Sequence, residues 1–503
     1  MYSITNMLTH FSGNSIVSVL ALVSVHSMTL ADEPELSARW TPATAVIRDL
    51  QPAVGAVYSF RDNGRASGSG SLVDPRGFLL TVAHVVGDQH VVLLGGRPPL
   101  RASLIGKNPE FDLAVLELGG PAFNRPGAPD YPLDGKPFAF IRLGIADEVM
   151  LGETILNLGS PGGRGIVVTS GIVSATSIAG GNALALATQD SNGFQQYLQF
   201  DAASNPGNSG GAIVNLDAQQ IGVVTSSIRG EEGIHFAVPI DVVRRCLADL
   251  LHCELRHRYV SGIEIDPQRP DVMVTGVATD SPAFESGLQI GEEVVAVDGR
   301  RLRDPIDWEF TKFEWKPDQN VILTVRRTSE EKQTELDLPI QLIPRNRDGG
   351  IEVDESVAAG LICRTSVYDP QIPDPLSDDQ RPKGTPQVVA LPTATPPNLP
   401  RDDHYELGFE GLIEIKEAGL YRLGAKSDDG SKVYFHDRLV ADNGGNHASQ
   451  LRTGWIDAAP GKHPIRIEYY EDEGNELLEL YLAKGDDEPR LIQASELFHV
   501  VAP

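Results

Sequence analysis

Cysteine is scarce, with only Cys246, Cys253 and Cys363 in 503 residues. An odd, scattered set builds neither a disulfide scaffold nor a four-ligand zinc site. Cys246 and Cys253 fall within DVVRRCLADLLHC, which reads as one amphipathic helix over 240–252. A seven-residue helical separation spans about 10 Å, beyond disulfide reach, so both read as small buried hydrophobes. Basic residues are also in short supply. The 42 Lys and Arg against 69 Asp and Glu leave a net charge of −27, which repels a phosphate backbone and excludes nucleic acid as a partner. No segment approaches the about 20 apolar residues that a membrane helix needs. Ile16 to Val25 is an apolar run closed by the small-residue triplet Thr29-Leu30-Ala31, which fits a signal-peptide core although no Lys or Arg precedes it. Residues 1–31 are therefore expected to be a signal peptide, and the chain to be exported into a periplasmic or extracytoplasmic space.

The length suits roughly three domains at about 150 residues each. After a short helix ending before Pro52, many short β-branched strands follow one another between Gly, Pro and Asp turns, among them GFLLTVAHVV, FDLAVLEL, TILNLGS and GAIVNL. Strands this dense, with no helix between them, predict closed antiparallel barrels or a sandwich. A second unit follows from about 258 to 343 and a third from about 350. Nine prolines lie between Pro370 and Pro400, yet strands resume beyond them, so that stretch reads as the irregular edge of an all-β domain.

His84 in TVAHVV, Asp112 in FDLAVL and Ser209 in NPGNSGGA stand in that order within the first unit. A serine hydroxyl is a poor nucleophile until an imidazole takes its proton, and the imidazole must be held in one tautomer by a carboxylate. Asp112 is read as a buried charge at an apolar strand in need of a partner, with His84 the natural one. The glycines around Ser209 allow a tight turn whose amides aim at a tetrahedral oxyanion. Gly207, Asn208 and Ser209 are the candidate oxyanion-hole residues, with the Gly207 and Ser209 amides as expected donors.

The stretches GSGSLVDPRGFLLTVAHVV, FDLAVLEL, GSPGGRGIVVTSGIVSA, FDAASNPGNSGGAIVN and GIHFAVPID resemble the HtrA/Deg family of serine proteases over residues 45 to 343. The resemblance implies a mainly β chain with a chymotrypsin-like double β-barrel over 32–254, with His84 as general base, Asp112 as its orienting acid and Ser209 as nucleophile. It further implies ATP-independent cleavage of unfolded or misfolded proteins without a cofactor, and assembly as a homotrimer. RDNGRASGSGS is short where some members carry a regulatory loop, and the stretch from Ser177 to Tyr197 is long for the activation loop.

SPAFESGLQIGEEVVAVDGRRL makes 258–343 resemble a PDZ domain, which takes C-terminal peptides by strand addition, with Val260, Ser261, Gly262 and Ile263 matching its carboxylate loop. Residues 350–500 are similar to the protective-antigen-type β-sandwich, in which an Asp pair can bind calcium and a glycan. Asp428 and Asp429 match that pair, with a plain turn capped by their carboxylates as the competing reading. Because the PDZ unit intervenes along the chain, the sandwich is expected to leave catalytic geometry untouched. Two other readings keep the fold: a non-catalytic chaperone or scaffold, and a carbohydrate-binding surface adhesin.

Overall fold

The computed structural model describes residues 39–61, 64–119, 137–179, 196–227, 233–329, 332–352, 356–368, 376, 382, 384–472 and 474–501. The expected signal peptide and most of the stretch from Ser177 to Tyr197 lie outside the described residues.

Six strands close the first barrel: β1 (Val54–Arg61), β2 (Gly64–Leu72), β3 (Phe78–Thr81), β4 (Gln89–Leu94), β5 (Leu100–Asn108) and β6 (Leu113–Leu118). Their inward faces are uniformly aliphatic, as in Leu79, Val92 and Val115, each fully buried. β1 and β2 form a hairpin with Arg61 opposite Gly64, consistent with the short segment read from the sequence. The second barrel uses β7 (Arg142–Leu143) as an outlying strand beside β12. Its six closing strands are β8 (Thr154–Gly159), β9 (Val167–Ala179), β10 (Gln196–Phe200), β11 (Ala212–Asn215), β12 (Gln219–Ser227) and β13 (His235–Pro239). Pairing of β11 with both β8 and β12 closes the ring, so the chain is mainly β with two barrels side by side.

The helix after β13 corrects the sequence reading. It runs Ile240–Leu251 and stops at His252, which adopts the left-handed conformation (φ +42°) before a separate helical turn, Cys253–His257. The His252 amide caps the first helix on the Ala248 carbonyl at 3.0 Å, and its ring packs on Trp455 with centroids 4.5 Å apart. Cys246, Cys253 and Cys363 are all buried, free thiols, and burial pushes Cys246 and Cys363 up to about 12, so they are inert at neutral pH.

The PDZ unit shares one continuous core with the first barrel and part of the second. The helix Pro305–Lys312 is buried along its whole length, and its Phe310 stacks on Phe78 of β3 with centroids 4.3 Å apart. Above this contact sits a charge network in which Asp74 and Asp307, neither side chain exposed, are bound by Arg76, Arg300 and Arg303. Desolvation raises the Asp307 pKa, but hydrogen bonds and charges from Arg303 and Arg300 outweigh it and bring it down to about 2 from 3.8. The stability this adds, about 2 kcal/mol at ~1.4 kcal/mol per unit, is present above the unfolded value and is lost as pH falls through the folded one. Asp307→Asn is therefore expected to lower the unfolding temperature at pH 7, with the gap to wild type narrowing toward pH 2. A gap independent of pH would show that the carboxylate is not held this way.

The C-terminal sandwich has its own core. In one sheet Tyr405–Ile415 pairs with Gly461–Glu471 along the full length of both strands, and in the other Gly419–Asp428 lies between Gln450–Ala458 and Leu477–Lys484. The expectation that the PDZ unit keeps it apart from the protease barrels does not hold. Lys107 at the end of β5 pairs with Glu488 at 2.8 Å, and its amide donates to Asp486 Oδ1 at 3.4 Å. The PDZ unit packs on β3 through Phe310, and the sandwich meets the first barrel at the end of β5.

Candidate active site

Each of the three candidate residues is set by a local turn rather than by a strand. His84 sits in the 3-10 turn Ala83–Val85 that follows β3. Arg61, at the end of β1, fixes this turn by donating to the His84 and Val86 carbonyls, both at 2.8 Å. Asp112 is not inside the apolar strand as the sequence suggested; it ends the turn before β6, with φ +51°, and is partly exposed. A non-glycine residue is held there at a cost of about 1–2 kcal/mol, which the surroundings must offset.

That conformation turns the Asp112 carboxylate onto His84. Nδ1 of the ring lies 2.8 Å from Oδ2 and 3.0 Å from Oδ1, and the His84 amide also donates to Oδ1 at 3.0 Å. Thr225 Oγ1 donates to Oδ2 at 2.6 Å, so the carboxylate is tied from both barrels. Burial lowers the imidazole pKa, but the hydrogen bond and charge of Asp112 outweigh it, and the small opposing effect of Arg61 leaves His84 above its ordinary 6.5. With Nδ1 committed to Asp112, the other ring nitrogen is free to act as a base once the ring is neutral.

Ser209 lies in the turn ahead of β11. Among the described residues its Oγ takes the Thr225 carbonyl as partner, at 3.3 Å, and makes no hydrogen bond to His84. The structure thus brings His84 and Asp112 into contact and leaves the serine link open. Ser69 of β2 shapes this turn: its amide donates to the Ser209 carbonyl at 2.8 Å, and its Oγ donates to the Gly207 carbonyl at 2.7 Å while accepting from Ser160 N at 2.8 Å. Two glycines are required here. Gly207 has φ +100°, and a Cβ on Gly210 (φ +84°) would sit 2.2 Å from the Ser69 carbonyl oxygen.

The Gly207 and Ser209 amides have no acceptor among the described residues, as donors for an oxyanion require. Asn208 is different: its amide is spent on the Asn205 carbonyl at 3.0 Å, so of the three residues it offers no free N–H. Thr225, Ser69 and Arg61 escaped the sequence reading because a Thr, a Ser or an Arg on a barrel strand carries no motif of its own.

The other expected sites behave less simply. In the PDZ loop Val260 pairs with Ile343, and the Ser261 amide donates to Glu254 Oε1 at 3.1 Å, with the Ser261 hydroxyl on the same oxygen. A side-chain carboxylate from the preceding helical turn already occupies this donor. Gly262 has φ +78°, and Ile263 begins a strand with one paired edge. Asp428 accepts the Ser449 amide at 3.2 Å, while Asp429 accepts the His447 and Asp472 amides at 3.2 and 2.9 Å. Burial raises both carboxyl groups, and no group of three or more His, Cys, Asp or Glu side chains suited to a metal occurs among the described residues. These contacts are those of turn caps.

Comparison with known proteins matches the Trypsin-like peptidase domain to residues 68–223, the PDZ domain to 261–338 and the PA14 domain to 373–496. A probable periplasmic serine endoprotease DegP-like protein of Brucella suis biovar 1 (strain 1330) is 30% identical over 299 residues, covering 56% of this chain and 54% of that protein. The chain therefore spans about half the length of these DegP-like relatives. Serine endoprotease DegS of Escherichia coli (strain K12) is 30% identical over 359 residues, 65% of this chain and 94% of its own length. A crystal structure of the serine endoprotease from Yersinia pestis aligns at 26% identity over 61% of this chain and 99% of that one, with a TM-score of 0.34. With nearly the whole of DegS matched, and with trypsin-like and PDZ domains in the order read from the sequence, the chain belongs to the HtrA/Deg family of serine proteases.

Proposed function

We propose that this chain is an ATP-independent serine endopeptidase that cleaves unfolded or misfolded polypeptides outside the cytoplasm. Ser209 is the nucleophile, His84 the general base and Asp112 the acid that orients it. The observation that carries this reading is the two-oxygen contact of Asp112 with His84 Nδ1, made within the first barrel and braced from the second by Thr225. A substrate carbonyl entering beside Gly207 would draw the Ser209 hydroxyl off Thr225 toward His84 Nε2. The His84 imidazole would take the hydroxyl proton as Oγ attacks, and the Gly207 and Ser209 amides would hold the oxyanion. The imidazolium then returns the proton to the leaving amine. This chemistry needs no metal or organic cofactor.

Unfolded chains suit a cleft that must thread an extended backbone. Export is supported by relatives named periplasmic. A C-terminal peptide at the PDZ loop would have to displace Glu254 from Ser261. A homotrimer and a glycan-binding role for the sandwich remain expectations of the family resemblance. The scaffold and adhesin readings are weaker because neither needs the His84–Asp112 geometry. Casein incubated with the protein, beside a Ser209→Ala control, separates enzyme from scaffold: cleavage that vanishes in the control supports the reading, and none in either sinks it.

Specificity follows from Ala203, six positions before the nucleophile, where trypsin-like digestive enzymes carry a pocket-floor Asp. The nearby Asp201 accepts the Ile172 amide at 2.7 Å. Cleavage is expected after small or medium aliphatic residues such as Val and Ala. Mass spectrometry of casein fragments with mainly Lys or Arg at the cut would reject this.

A further inference from the structure

The turn that ends in Asp112 is gripped from outside the protease barrels. Arg452, on the sandwich strand Gln450–Ala458, forms an ion pair with Glu110 and lies over the Phe111 ring with its guanidinium carbon 5.5 Å from the centroid. Glu110 and Phe111 are the two residues directly before Asp112. Lys107, at the start of the same hairpin end, is held by Glu488 and Asp486. Within the protease Asn108 Oδ1 accepts the Glu110 and Phe111 amides at 2.9 and 3.2 Å, the Asp112 amide reaches Pro109 O at a long 3.4 Å, and the Asp112 carboxylate is held by His84 and Thr225.

Beside this contact lies a cleft of about 620 Å³ lined by Asn108, Glu110, His252, Arg422, Trp455 and Tyr481 among others. Arg452 meets the protease at the turn itself. Glu110 and Arg452 are only 20% and 33% exposed, so their attraction is less screened than that of a surface pair.

We propose that Arg452 is a positioning residue for the triad: its ion pair with Glu110 and its stacking on Phe111 hold the turn in the left-handed conformation that delivers both Asp112 oxygens to His84 Nδ1. The sandwich is then part of the catalytic apparatus rather than an appendage. This rests on the triad reading above, and its test is separable from it.

The test uses the full chain with Arg452→Gln, Glu110→Gln and the charge exchange E110R/R452E, each checked for wild-type unfolding temperature. On a short unstructured peptide the two single variants are expected to lose roughly 10-fold or more in kcat with KM little changed, since small displacements of a catalytic group cost rate rather than binding. The His84 pKa, read by NMR on labelled histidine, is expected to fall, because the contact that raises it is loosened. The exchange variant should recover part of both. Glu110→Gln removes the pair from the protease side should Arg452→Gln fold poorly. Folded single variants with wild-type kcat and an unmoved His84 pKa would overturn the proposal. An inactive wild-type protein would sink the endopeptidase reading, while the His84 titration would still decide whether Arg452 positions Asp112.

Discussion

Ser209→Ala is expected to lower turnover on casein by about 10⁶-fold while leaving the unfolding temperature essentially unchanged. The size follows from the role: without Oγ there is no acyl intermediate, and only binding and the two free amides remain to assist water. Stability is spared because the hydroxyl makes a single bond, a long one to the Thr225 carbonyl at 3.3 Å, whereas the turn is held by Ser69 through main-chain contacts and its own Oγ. Residual cleavage at the wild-type rate would assign catalysis to some other residue. A collapse in unfolding temperature would mean that Oγ holds the turn after all.

Asp112→Asn is expected to cost about 10⁴-fold in kcat, with KM little affected. The amide side chain can keep its place between Thr225 and His84, but it carries no charge to stabilise an imidazolium and can present an N–H where Nδ1–H must be accepted, favouring the wrong tautomer. The pH profile gives a second reading. In the wild type His84 titrates above 6.5, and only its neutral form accepts the serine proton, so activity rises with pH through that raised value. In the variant the charge and hydrogen bond that raise it are gone, so the remaining activity should rise at lower pH. An acid limb that stays in place would show that Asp112 does not set the His84 protonation.

His84, Asp112 and Ser209 stand out in the sequence because the chemistry proposed for them asks for polar residues beside apolar strands and for glycines in a tight turn; the structure adds the contact of Asp112 with His84. Short β-branched runs between turn residues predict closed barrels or a sandwich, and the resemblance to the HtrA/Deg family narrows this to the double barrel that the structure has. Asp112 was nevertheless placed in the strand when it belongs to the turn, because Phe111 and Leu113 on either side read as strand continuation. The break at His252 was hidden by a sequence that keeps helical periodicity straight through it. The supporting shell was invisible altogether. Thr225 and Ser69 act through a hydroxyl whose direction is fixed by barrel closure, and Arg452 meets Glu110 from a strand far along the chain. Chain order made the sandwich look remote, whereas topology makes it a neighbour of Asp112. For Asp428 and Asp429 sequence alone left two readings, and the amides of Ser449, His447 and Asp472 favour the turn cap.

The three buried thiols bear on how the folded protein withstands redox stress. All are interior and none is near enough to ionising at neutral pH to exchange with a passing disulfide. Once folded, the chain therefore has no bridge for a reductant to break and no ionised thiol for an oxidant or a disulfide to attack. A serine protease built this way can stay intact through swings in redox conditions.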